Sequence, residues 1–594
     1  MKDLKTFRQM LTQIFDLLDK KQKKDFWLVF VVIVIAGFFE MLGVSVMLPL
    51  VQVLTYPAQL YDRWYIKAVN GIIPLDETGI VVLVGASIVI VYLVKNAFVL
   101  FANYYQMKFR LNLQVSLTIK AMKAFLCRPY EYYVDNNSSD VIRGVSTDIS
   151  NVNGMVEHIM KLFTEILTVT VIGVYLFIQD PVMACGVLVV GAICALAIVT
   201  LVKKRLHEMG RISWKADEEF SRSTIEITQG IKDIYVMQKR KYFLDRFERI
   251  KNTQKKANLS LQVAQILPER FIEFFCIFGI IVVVVGRYIS GVDMTTFVAK
   301  LAVFAVAAFR ILPSISRMSG NVSMLVFLNP ALGIAHDNIV STEEALRKNE
   351  AVLTLGDADE AAGSEFKDSI EAKGVTWKYS TRDYNVLEEL SLKVKAGQAI
   401  GIIGESGSGK STLSDILLGL YVPQQGSVEF DGHSVFDNPV AWSKIMGYVP
   451  QMVYLLDNTI RANVAFGEEN IDDAKVWKAL EMANLDKYVR ELPEGLDAMV
   501  GESGIRLSGG QRQRLAIARA LYFEPCVLIL DEATSALDND TEAAVMDAIT
   551  RLQGSITMII IAHRINTLRN CDAIYEITGG KAVERNKREL FENV

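Results

Sequence analysis

The sequence has few of the residues that make disulfide frameworks or zinc sites. Only six cysteines and five histidines occur among 594 residues, and the cysteines show no close pairing along the chain. We therefore expect neither a disulfide framework nor a zinc site. An excess of positive charge is also lacking, because the formal net charge is −4. That balance excludes a generally basic nucleic-acid binder, so no nucleic-acid partner is expected.

Long apolar runs, in contrast, are abundant in the first half of the chain. Each is long enough to cross a hydrocarbon core about 30 Å thick. They predict six membrane spans, at about residues 26–54, 78–104, 155–179, 182–202, 267–289 and 295–320. No cleavable signal peptide is expected before the first span, because residues 1–25 are polar, charged and helical in pattern.

The polar connections between these spans predict the orientation in the membrane. Residues 105–154 and 203–266 are long and rich in Lys and Arg, whereas the turn at 287–295 is short and nearly uncharged. The positive-inside tendency places the two long connections, both termini and the soluble half in the cytosol of a cell membrane protein.

Helical periodicity continues through both cytosolic connections. It predicts membrane helices that project into the cytosol and reverse near residues 136–140 and near residues 216–219. Short helices parallel to the membrane are expected just after these turns, at 141–150 and 220–230. The external loop 55–77 carries an apolar and aromatic stripe, which predicts a short interfacial helix.

A glycine-rich loop in the second half has the pattern of a phosphate-binding site. The short apolar strand 397–403 precedes it, and an amphipathic helix at 413–420 follows it. In that context, converging backbone N–H groups and the start of a helix bind phosphates. Lys410 is expected to hold the β- and γ-phosphates, and the Ser411 hydroxyl to ligate Mg²⁺. The predicted ATP-binding residues here are Gly404, Glu405, Ser406, Gly407, Ser408, Gly409, Lys410, Ser411 and Thr412.

Two carboxylates follow a second buried strand, residues 526–530. Asp531 suits the shell of a magnesium ion, and Glu532 suits a base that polarises the attacking water, as phosphoryl transfer requires. His563 follows the apolar strand 557–562 and could reach a γ-phosphate. Alone, such a histidine is more often structural, but the other motifs favour the functional interpretation.

Residues 507–511, Leu-Ser-Gly-Gly-Gln, look on their own like the start of a helix. Ser508 can cap that helix, and the glycines allow a close backbone approach. Together with the phosphate-binding loop upstream and Asp531-Glu532 downstream, the pentapeptide resembles the signature of the ATP-binding cassette family. Six spans with long cytosolic helices are similar to the membrane half of the exporter-type transporters in that family.

This resemblance implies further site residues. Tyr379 would be the aromatic residue on which adenine stacks, and Gln451 would sense Mg²⁺ and contact the membrane domain. Residues 501–504 would couple to the cytosolic helices, and Asp538 would lie in the loop that crosses between protomers. In the family the signature faces ATP on the opposite subunit, so a homodimer is implied. The residues expected to act in trans are Ser508, Gly509, Gly510 and Gln511.

The expected architecture is a multi-domain membrane protein. A six-helix, all-α exporter-type transmembrane domain at 1–345 is followed by a linker at 346–366 and an α/β P-loop ATP-binding cassette domain at 367–594. The resemblance implies ATP and Mg²⁺ as cofactors and ATP hydrolysis coupled to transport. The expected catalytic residues are Glu532, His563 and Gln451, and the expected metal ligands are Ser411, Gln451 and Asp531.

Charged residues inside the spans bear on the transported molecule. Each costs at least about 2.5–3.5 kcal/mol at the bilayer centre unless it is solvated or paired. Arg310 and Arg317 share one helix face and could line a water-filled cavity, or they could be paired. Arg270 is three residues from Glu273, the right spacing for an ion pair on one helix. The predicted substrate residues are Arg270, Arg310 and Arg317.

The sequence around Arg310 resembles flippases for lipid-linked oligosaccharides, whose pyrophosphate suits the forked arginine side chain. The leading hypothesis is therefore an ATP-driven flippase that moves a polyprenyl-pyrophosphate-linked glycan to the outer leaflet. Exporters of peptides, drugs or other lipids use the same motifs and stay open, as does an importer on the exporter fold. An ATP-gated channel or regulatory subunit is disfavoured by the intact Glu532. A soluble DNA-repair-type ATPase would need a coiled-coil insertion instead of membrane spans.

Overall fold

The computed structural model describes most of the chain. The described residues are 2–46, 77–179, 181–289, 294–340, 366–437, 439–532, 539–562 and 564–592. In the membrane helices the side chains of residues 182–203 and 294–310, among others, lie outside this description. The predicted external loop 55–77 and the linker 346–366 lie almost entirely outside the described residues.

Two compact units divide the chain. One comprises Met1–Arg128 with Tyr132–Asn349, and the other comprises Glu350–Val594 with the three residues Pro129–Glu131. In the first part of the chain the described elements are all helices. They are α1 Lys2–Leu17, α2 Lys20–Ser45, α3 Glu77–Leu126, α4 Tyr130–Asp135, α5 Ser138–Val145, α6 Thr147–Gln179, α7 Pro181–Gln229, α8 Ile231–Val236, α9 Arg240–Ile289 and α10 Met294–Val340.

Each predicted membrane span overlaps one of the long helices. Within the described residues, four stretches have the length and apolar composition to cross a membrane, namely Lys20–Gly43, Thr78–Leu126, Ser138–Ile178 and Ile311–Val340. The predicted spans 182–202 and 267–289 fall in α7 and α9, where many side chains lie outside the described part.

One of the two predicted cytosolic reversals is wrong. Helix α7 runs without a break through residues 216–219 and ends at Gln229, so the short helix expected at 220–230 is α8, which begins at Ile231. Charged side chains here are accommodated on the helix because they find partners on neighbouring helices. Asp217 accepts a hydrogen bond from Gln254, and Glu218 pairs with Arg143 at 3.3 Å. The first reversal lies between the end of α3 and α5, so Asn136 and Asn137 fall within it.

The core of the first unit lies where α1, α2, α3, α6 and α10 meet. Its buried residues include Ile14, Leu113, Val152 and Leu332. One buried charge within the described spans is paired, since the ammonium of Lys95 lies 3.1 Å from the Glu40 carboxylate and the Lys95 side chain is only 2% exposed. Such pairing offsets the cost of burying charge in hydrocarbon.

A close helix crossing explains one glycine in the first unit. A Cβ built on Gly210 of α7 would lie 2.2 Å from the Phe327 carbonyl oxygen of α10. Helix α7 can therefore approach α10 at this point only because residue 210 has no side chain.

The second unit contains two sheets and surrounding helices. Its strands are β1 Ser369–Trp377, β2 Leu387–Lys395, β3 Ala399–Ile403, β4 Gln425–Phe430, β5 His433–Ser434, β6 Met446–Val449, β7 Val527–Asp531, β8 Thr557–Ile561, β9 Ala573–Thr578 and β10 Lys581–Arg585. Its α-helices are α11 Lys410–Leu417, α12 Pro439–Ile445, α13 Ile460–Val464, α14 Asp473–Met482, α15 Asp486–Glu491, α16 Gly509–Tyr522, α17 Asn539–Leu552 and α18 Lys587–Glu592.

The sheet topology follows from which strands are buried on both faces. An antiparallel sheet has the order β2-β1-β4-β5, and a larger sheet has the order β10-β9-β3-β8-β7-β6. In the larger sheet β3, β7 and β8 are buried along their whole length and pair in parallel, as uninterrupted apolar runs predict. Helices on the two faces enclose two apolar cores, one around Leu515 and Leu530 and one around Ile402 and Leu413.

Candidate functional site

The parallel sheet brings separate motifs to one edge. Strands β3, β8, β7 and β6 are consecutive neighbours and run in the same direction. Because ligands bind beyond the carboxyl ends of parallel strands, the loops after these strands form one site. The residues that follow β3, β7 and β6 are the glycine-rich loop, Glu532 and Gln451, three separate predictions from the sequence.

The glycine-rich loop folds back to start α11. Gly409 has φ of 105°, and a Cβ there would lie 2.8 Å from the Leu387 side chain, so this position requires glycine. The Lys410 ammonium donates to the carbonyl oxygens of Gly404 at 2.9 Å and Glu405 at 3.0 Å. The lysine is therefore buried within the loop, with its positive charge placed where phosphates would lie.

A small pocket of about 220 Å³ lies against this loop. It contains most of the predicted loop residues together with Tyr379 and Glu532, which the sequence predicted from separate motifs. Its lining residues are Tyr379, Arg382, Val386, Ser406, Gly407, Gly409, Lys410, Ser411, Thr412 and Glu532. The Tyr379 hydroxyl lies 3.1 Å from the Thr412 hydroxyl, which ties the aromatic residue to the loop.

Arg382 and Val386 in this lining were missed by the sequence reasoning. Arg382 lies over the Tyr379 ring at 5.3 Å, a distance at which a guanidinium is attracted to an aromatic face. Both residues belong to the turn between β1 and β2, which carries no motif. An arginine three residues after a tyrosine is the one signal that could have found Arg382.

The tyrosine is supported from behind by two further aromatic rings. Trp377 packs edge-on to Tyr379 at 4.3 Å and stacks on Tyr421 at 4.6 Å. Trp377 and Tyr421 are both buried, so Tyr379 sits on a rigid support with one face toward the pocket. Tyr421 is a third residue that sequence reasoning missed, because it lies after α11 and outside every motif.

The carboxylates at the end of β7 occupy different environments. Asp531 is 9% exposed, and Glu532, at φ of 47°, turns out of the strand. The side-chain amide of Gln451 donates a hydrogen bond to the Glu532 carboxylate. Glutamine and glutamate, each predicted separately as a catalytic residue, are therefore in direct contact.

Asp415 adds a third carboxylate that the sequence reasoning did not single out. It lies on α11 one turn after Ser411, and its pKa is raised to about 6, first by burial and then by the negative charge of Asp531. Burial, assisted by the charges of Asp531 and Asp415, also raises the pKa of the Tyr448 hydroxyl. Negative charge is concentrated beside Ser411, and oxygen donors in such a field fit a hard divalent cation such as Mg²⁺.

The pentapeptide starts a helix but lies outside the pocket of its own chain. Ser508 accepts a hydrogen bond from the Gln511 backbone N–H at 3.2 Å, and the Gln511 side chain accepts from the Ser508 backbone N–H at 2.8 Å. This reciprocal capping confirms the predicted helix start at α16. None of Ser508, Gly509, Gly510 or Gln511 lines the described pocket. Asp538 and His563 lie outside the described residues.

The first unit contains a larger cavity of about 720 Å³ among α3, α6, α9 and α10. Most of its lining residues have polar side chains, with several carboxamides, hydroxyls and charges, although apolar atoms form more of the exposed lining surface. The residues are Asn103, Gln106, Met107, Arg110, Glu157, His158, Met160, Lys161, Thr164, Glu165, Gln265, Ser316, Arg317, Gly320 and Asn321.

Of the three predicted substrate arginines, the structure brings one to this cavity. Arg317 lines it and forms a two-pronged pair with Glu165, one of the contacts being Nη2 to Oε2 at 3.0 Å. Arg270 is not in the lining, and its Nη1 lies 3.0 Å from Glu273 Oε2, which confirms the predicted ion pair. The backbone of Arg310 belongs to α10, but its side chain lies outside the described residues.

Comparison with known proteins now bears on both units. A family model described as "ABC transporter transmembrane region" matches residues 26–305, and one described as "ABC transporter" matches residues 387–535. The "ATP-dependent lipid A-core flippase" of Burkholderia orbicola is 31% identical over 77% of this chain and 75% of the relative. The chain belongs to the ABC transporter family.

Further likenesses extend over nearly the whole length of this ABC transporter. The "Heterocyst differentiation ATP-binding protein HepA" of Nostoc sp. is 28% identical over 94% of this chain and 90% of the relative. A solved "bacterial Atm1-family ABC exporter with ATP bound" matches with a TM-score of 0.72 over 97% of both chains, at 19% identity, and shares the fold. The ABC transporter is thus an ATP-hydrolysing membrane protein of the exporter-type half-transporter architecture, as predicted.

Proposed function

We propose that this ABC transporter moves a lipid-linked glycan from the cytosolic to the outer leaflet of the cell membrane, working as a homodimer with cytosolic nucleotide-binding units. The observation that carries the proposal is the 720 Å³ cavity among long helices of the first unit, where most lining residues have polar side chains. A cavity lined by carboxamides and hydroxyls offers hydrogen bonds to a hydroxyl-rich headgroup, whose lipid chain can stay in hydrocarbon. Relatives named as lipid A-core flippases support a lipid-related cargo.

The charges in the cavity suit a phosphorylated headgroup but are largely balanced. Arg110, Lys161 and Arg317 supply three cations and Glu157 and Glu165 two carboxylates, an excess of one positive charge (3 − 2 = 1) before His158 is counted. Arg110 and Lys161 both contact Glu157, and Arg317 contacts Glu165. A pyrophosphate would therefore compete with Glu165 for the Arg317 guanidinium, since both anions fit the same fork.

In the second unit we propose a role for each predicted nucleotide-site residue, supported for Tyr379, Lys410, Ser411 and Glu532 by their place in one pocket. Lys410 would hold the phosphates of ATP, and Tyr379 would stack on adenine. Ser411, Asp531 and Gln451 would hold Mg²⁺, which when bound screens the negative charge of the phosphates. Glu532, positioned by Gln451, would polarise the attacking water, with His563 assisting. All three proposed metal ligands offer oxygen donors, as a hard cation prefers.

The proposed homodimer is supported by a pocket whose described lining lacks the signature residues of its own chain. Ser508 and Gln511 form reciprocal hydrogen bonds that cap α16, and neither residue lines the described pocket. A second copy would bring its α16 to the open side of that pocket. Each of two identical sites would then be completed by the backbone N–H groups at the start of the other copy's helix.

Reconstitution into proteoliposomes tests the cargo. We expect ATPase stimulation and ATP-dependent translocation with a polyprenyl-pyrophosphate oligosaccharide, and neither with peptides or drugs. Arg317→Ala should lower translocation at least about tenfold if one charged contact of about 1.5–3 kcal/mol to the cargo is lost. A matched control is Arg246→Ala, which removes an ion pair with Glu226 outside the cavity.

Exchanging the charges of Arg317 and Glu165 distinguishes a role of Arg317 in cargo binding from a role in ion pairing alone. If Arg317 serves only to pair with Glu165, the double variant Arg317→Glu with Glu165→Arg restores the pair and translocation together. If Arg317 binds cargo, the swapped protein folds but stays inactive. Peptide-stimulated ATPase activity would favour a peptide exporter instead, and ATP-gated current without turnover would favour a channel.

A further inference from the structure

We infer that the beginning of α2 carries a binding site for anionic phospholipid headgroups of the cytosolic leaflet, distinct from the cargo cavity. Helix α2 begins with the sequence Lys20-Lys21-Gln22-Lys23-Lys24 and continues into an apolar run. Three of these four lysines, Lys20, Lys21 and Lys24, are exposed. Within the part of the chain that the structure describes, none of the four forms an ion pair with a carboxylate.

The exposed apolar face of α2 is the surface that we assign to lipid contact. Trp27 is 59% exposed, and Val31 and Phe38 are 54% and 53% exposed. The full exposed set recurs at helical spacing as Trp27, Leu28, Val31, Ile35, Phe38 and Leu42. The opposite face, with Val29 and Ile33, is buried in the core of the unit. One face of this helix therefore meets hydrocarbon, and the other meets protein.

The lysines continue that lipid-facing stripe toward the cytosol. Lys24 precedes Leu28 by four residues and Lys20 precedes Lys24 by four, so both lie on the stripe. Lys21 lies at its edge, whereas Lys23 lies off it and is half-buried. Positive charge in the first turn opposes the helix dipole, so these lysines do not serve the stability of α2. Their placement fits anionic headgroups at the level where the stripe leaves the hydrocarbon.

Contacts of helices α1 and α3 fix the position of the lysines at the start of α2. Helix α1 buries Met10, Ile14 and Leu17 in the core of the unit. The ammonium of Lys120 donates to the Leu17 carbonyl oxygen at 2.9 Å and lies 2.6 Å from the Asp19 carboxylate. The turn between α1 and α2 is thus fixed on α3, so the basic surface exists before lipid binds.

Trp27 at the edge of the stripe provides the probe. The full-length protein is reconstituted in nanodiscs of phosphatidylcholine with brominated phosphatidylglycerol or with brominated phosphatidylcholine, and tryptophan quenching is compared. We expect phosphatidylglycerol to be preferred about threefold or more at low salt, with the preference falling toward unity in 0.5 M NaCl. Trp27→Phe should remove the lipid-dependent difference in quenching.

Three variants decide the assignment. Lys20→Gln with Lys24→Gln should abolish the preference, while Lys23→Gln, off the stripe, should keep it. Lys475→Gln with Lys487→Gln removes the same charge from exposed positions in the second unit and should also keep it. An unchanged preference in the Lys20/Lys24 variant would overturn the proposal.

A salt titration of the unmodified protein keeps the proposal testable if that variant does not fold. A preference that survives 0.5 M NaCl would overturn the proposal, because the attraction is between exposed charges. Lys20→Arg with Lys24→Arg should retain the preference. Inorganic phosphate at matched ionic strength should compete no better than NaCl; stronger competition would point to a free anion and would overturn the lipid assignment.

Discussion

The side-chain amide of Gln451 donates a hydrogen bond to the carboxylate of Glu532. The two residues follow adjacent parallel strands, β6 and β7, so the sheet itself sets their separation. In the proposed function, this contact would position the glutamate to polarise a water next to the γ-phosphate. The resemblance implies that Gln451 also contacts the membrane domain, so the proposed catalytic glutamate is hydrogen-bonded to a residue with that expected role.

Glu532→Gln should bind ATP but lose at least about 100-fold in turnover, because a positioned general base contributes that much to proton transfer. The variant should accumulate as an ATP-bound dimer, measurable by size-exclusion chromatography in detergent. Glu524→Gln is a matched control, since Glu524 also has positive φ and its carboxylate pairs with a surface lysine, Lys478. Hydrolysis by Glu532→Gln at the parent rate would show that another group polarises the water.

Lys410→Ala should weaken ATP binding by about 10- to 100-fold, the loss expected for charged hydrogen bonds to phosphate. The ammonium already donates to two loop carbonyls, so its removal also loosens the loop. Fluorescent-nucleotide titration measures the affinity. Lys378→Ala, an exposed lysine in the same unit, should leave it unchanged.

Ser508 has a structural role and a proposed role in trans, and two substitutions separate them. Ser508→Ala removes the cap of α16 and should cost about 1 kcal/mol of unfolding free energy. Ser508→Asp keeps a capping oxygen and should restore most of that stability. It places a negative charge against the γ-phosphate of the partner copy, so ATPase activity should stay lost. If the aspartate variant recovered both stability and ATPase activity, Ser508 would have only the capping role.

Asp415→Asn should stabilise the second unit at neutral pH. The carboxyl has its pKa raised to about 6 from an ordinary 3.8, so its ionised form is disfavoured in the fold. The folded state binds the Asp415 proton more tightly than the unfolded state does. The contribution of this proton to the free energy of unfolding is therefore complete below about pH 4 and is lost as the pH rises through about 6. Allowing for partial exposure, the gain at pH 7.5 should be about 1 kcal/mol.

Calorimetry of the nucleotide-free protein between pH 4.5 and 7.5 checks this pH dependence. The difference in melting temperature between Asp415→Asn and the unmodified protein should shrink as the pH falls. Asp486→Asn, a carboxylate of the same unit far along the chain, is the control for the loss of one charge. A difference that is constant with pH would mean that Asp415 acts through packing rather than ionisation.

Much of the nucleotide-binding unit could be predicted from sequence because its determinants are local. The apolar runs 397–403, 526–530 and 557–562 predict buried strands. Their bounds agree within one or two residues with those of β3, β7 and β8, respectively. The helix start at Ser508 also follows from local chemistry, since a serine followed three residues later by glutamine forms a capping box.

The second cytosolic reversal was mispredicted for a physical reason. A polar segment such as 216–219 reads as a turn if its charges are assumed to need water. In the structure those charges find Arg143 and Gln254 on other helices, so α7 continues. Pairing between elements that are distant in sequence has no local signal.

By itself the sequence determined the motor: the phosphate-binding loop, the carboxylates after a buried strand, the capped signature helix and the apolar spans are each encoded within a few turns of chain. Tertiary structure alone decided which charged side chains lie close enough to interact with one another. Arg317 meets Glu165 across 152 positions, Lys95 meets Glu40, and Asp415 lies in the field of Asp531. Electrostatic energy depends on distance in space and on burial, and neither can be read from the spacing of residues along the chain.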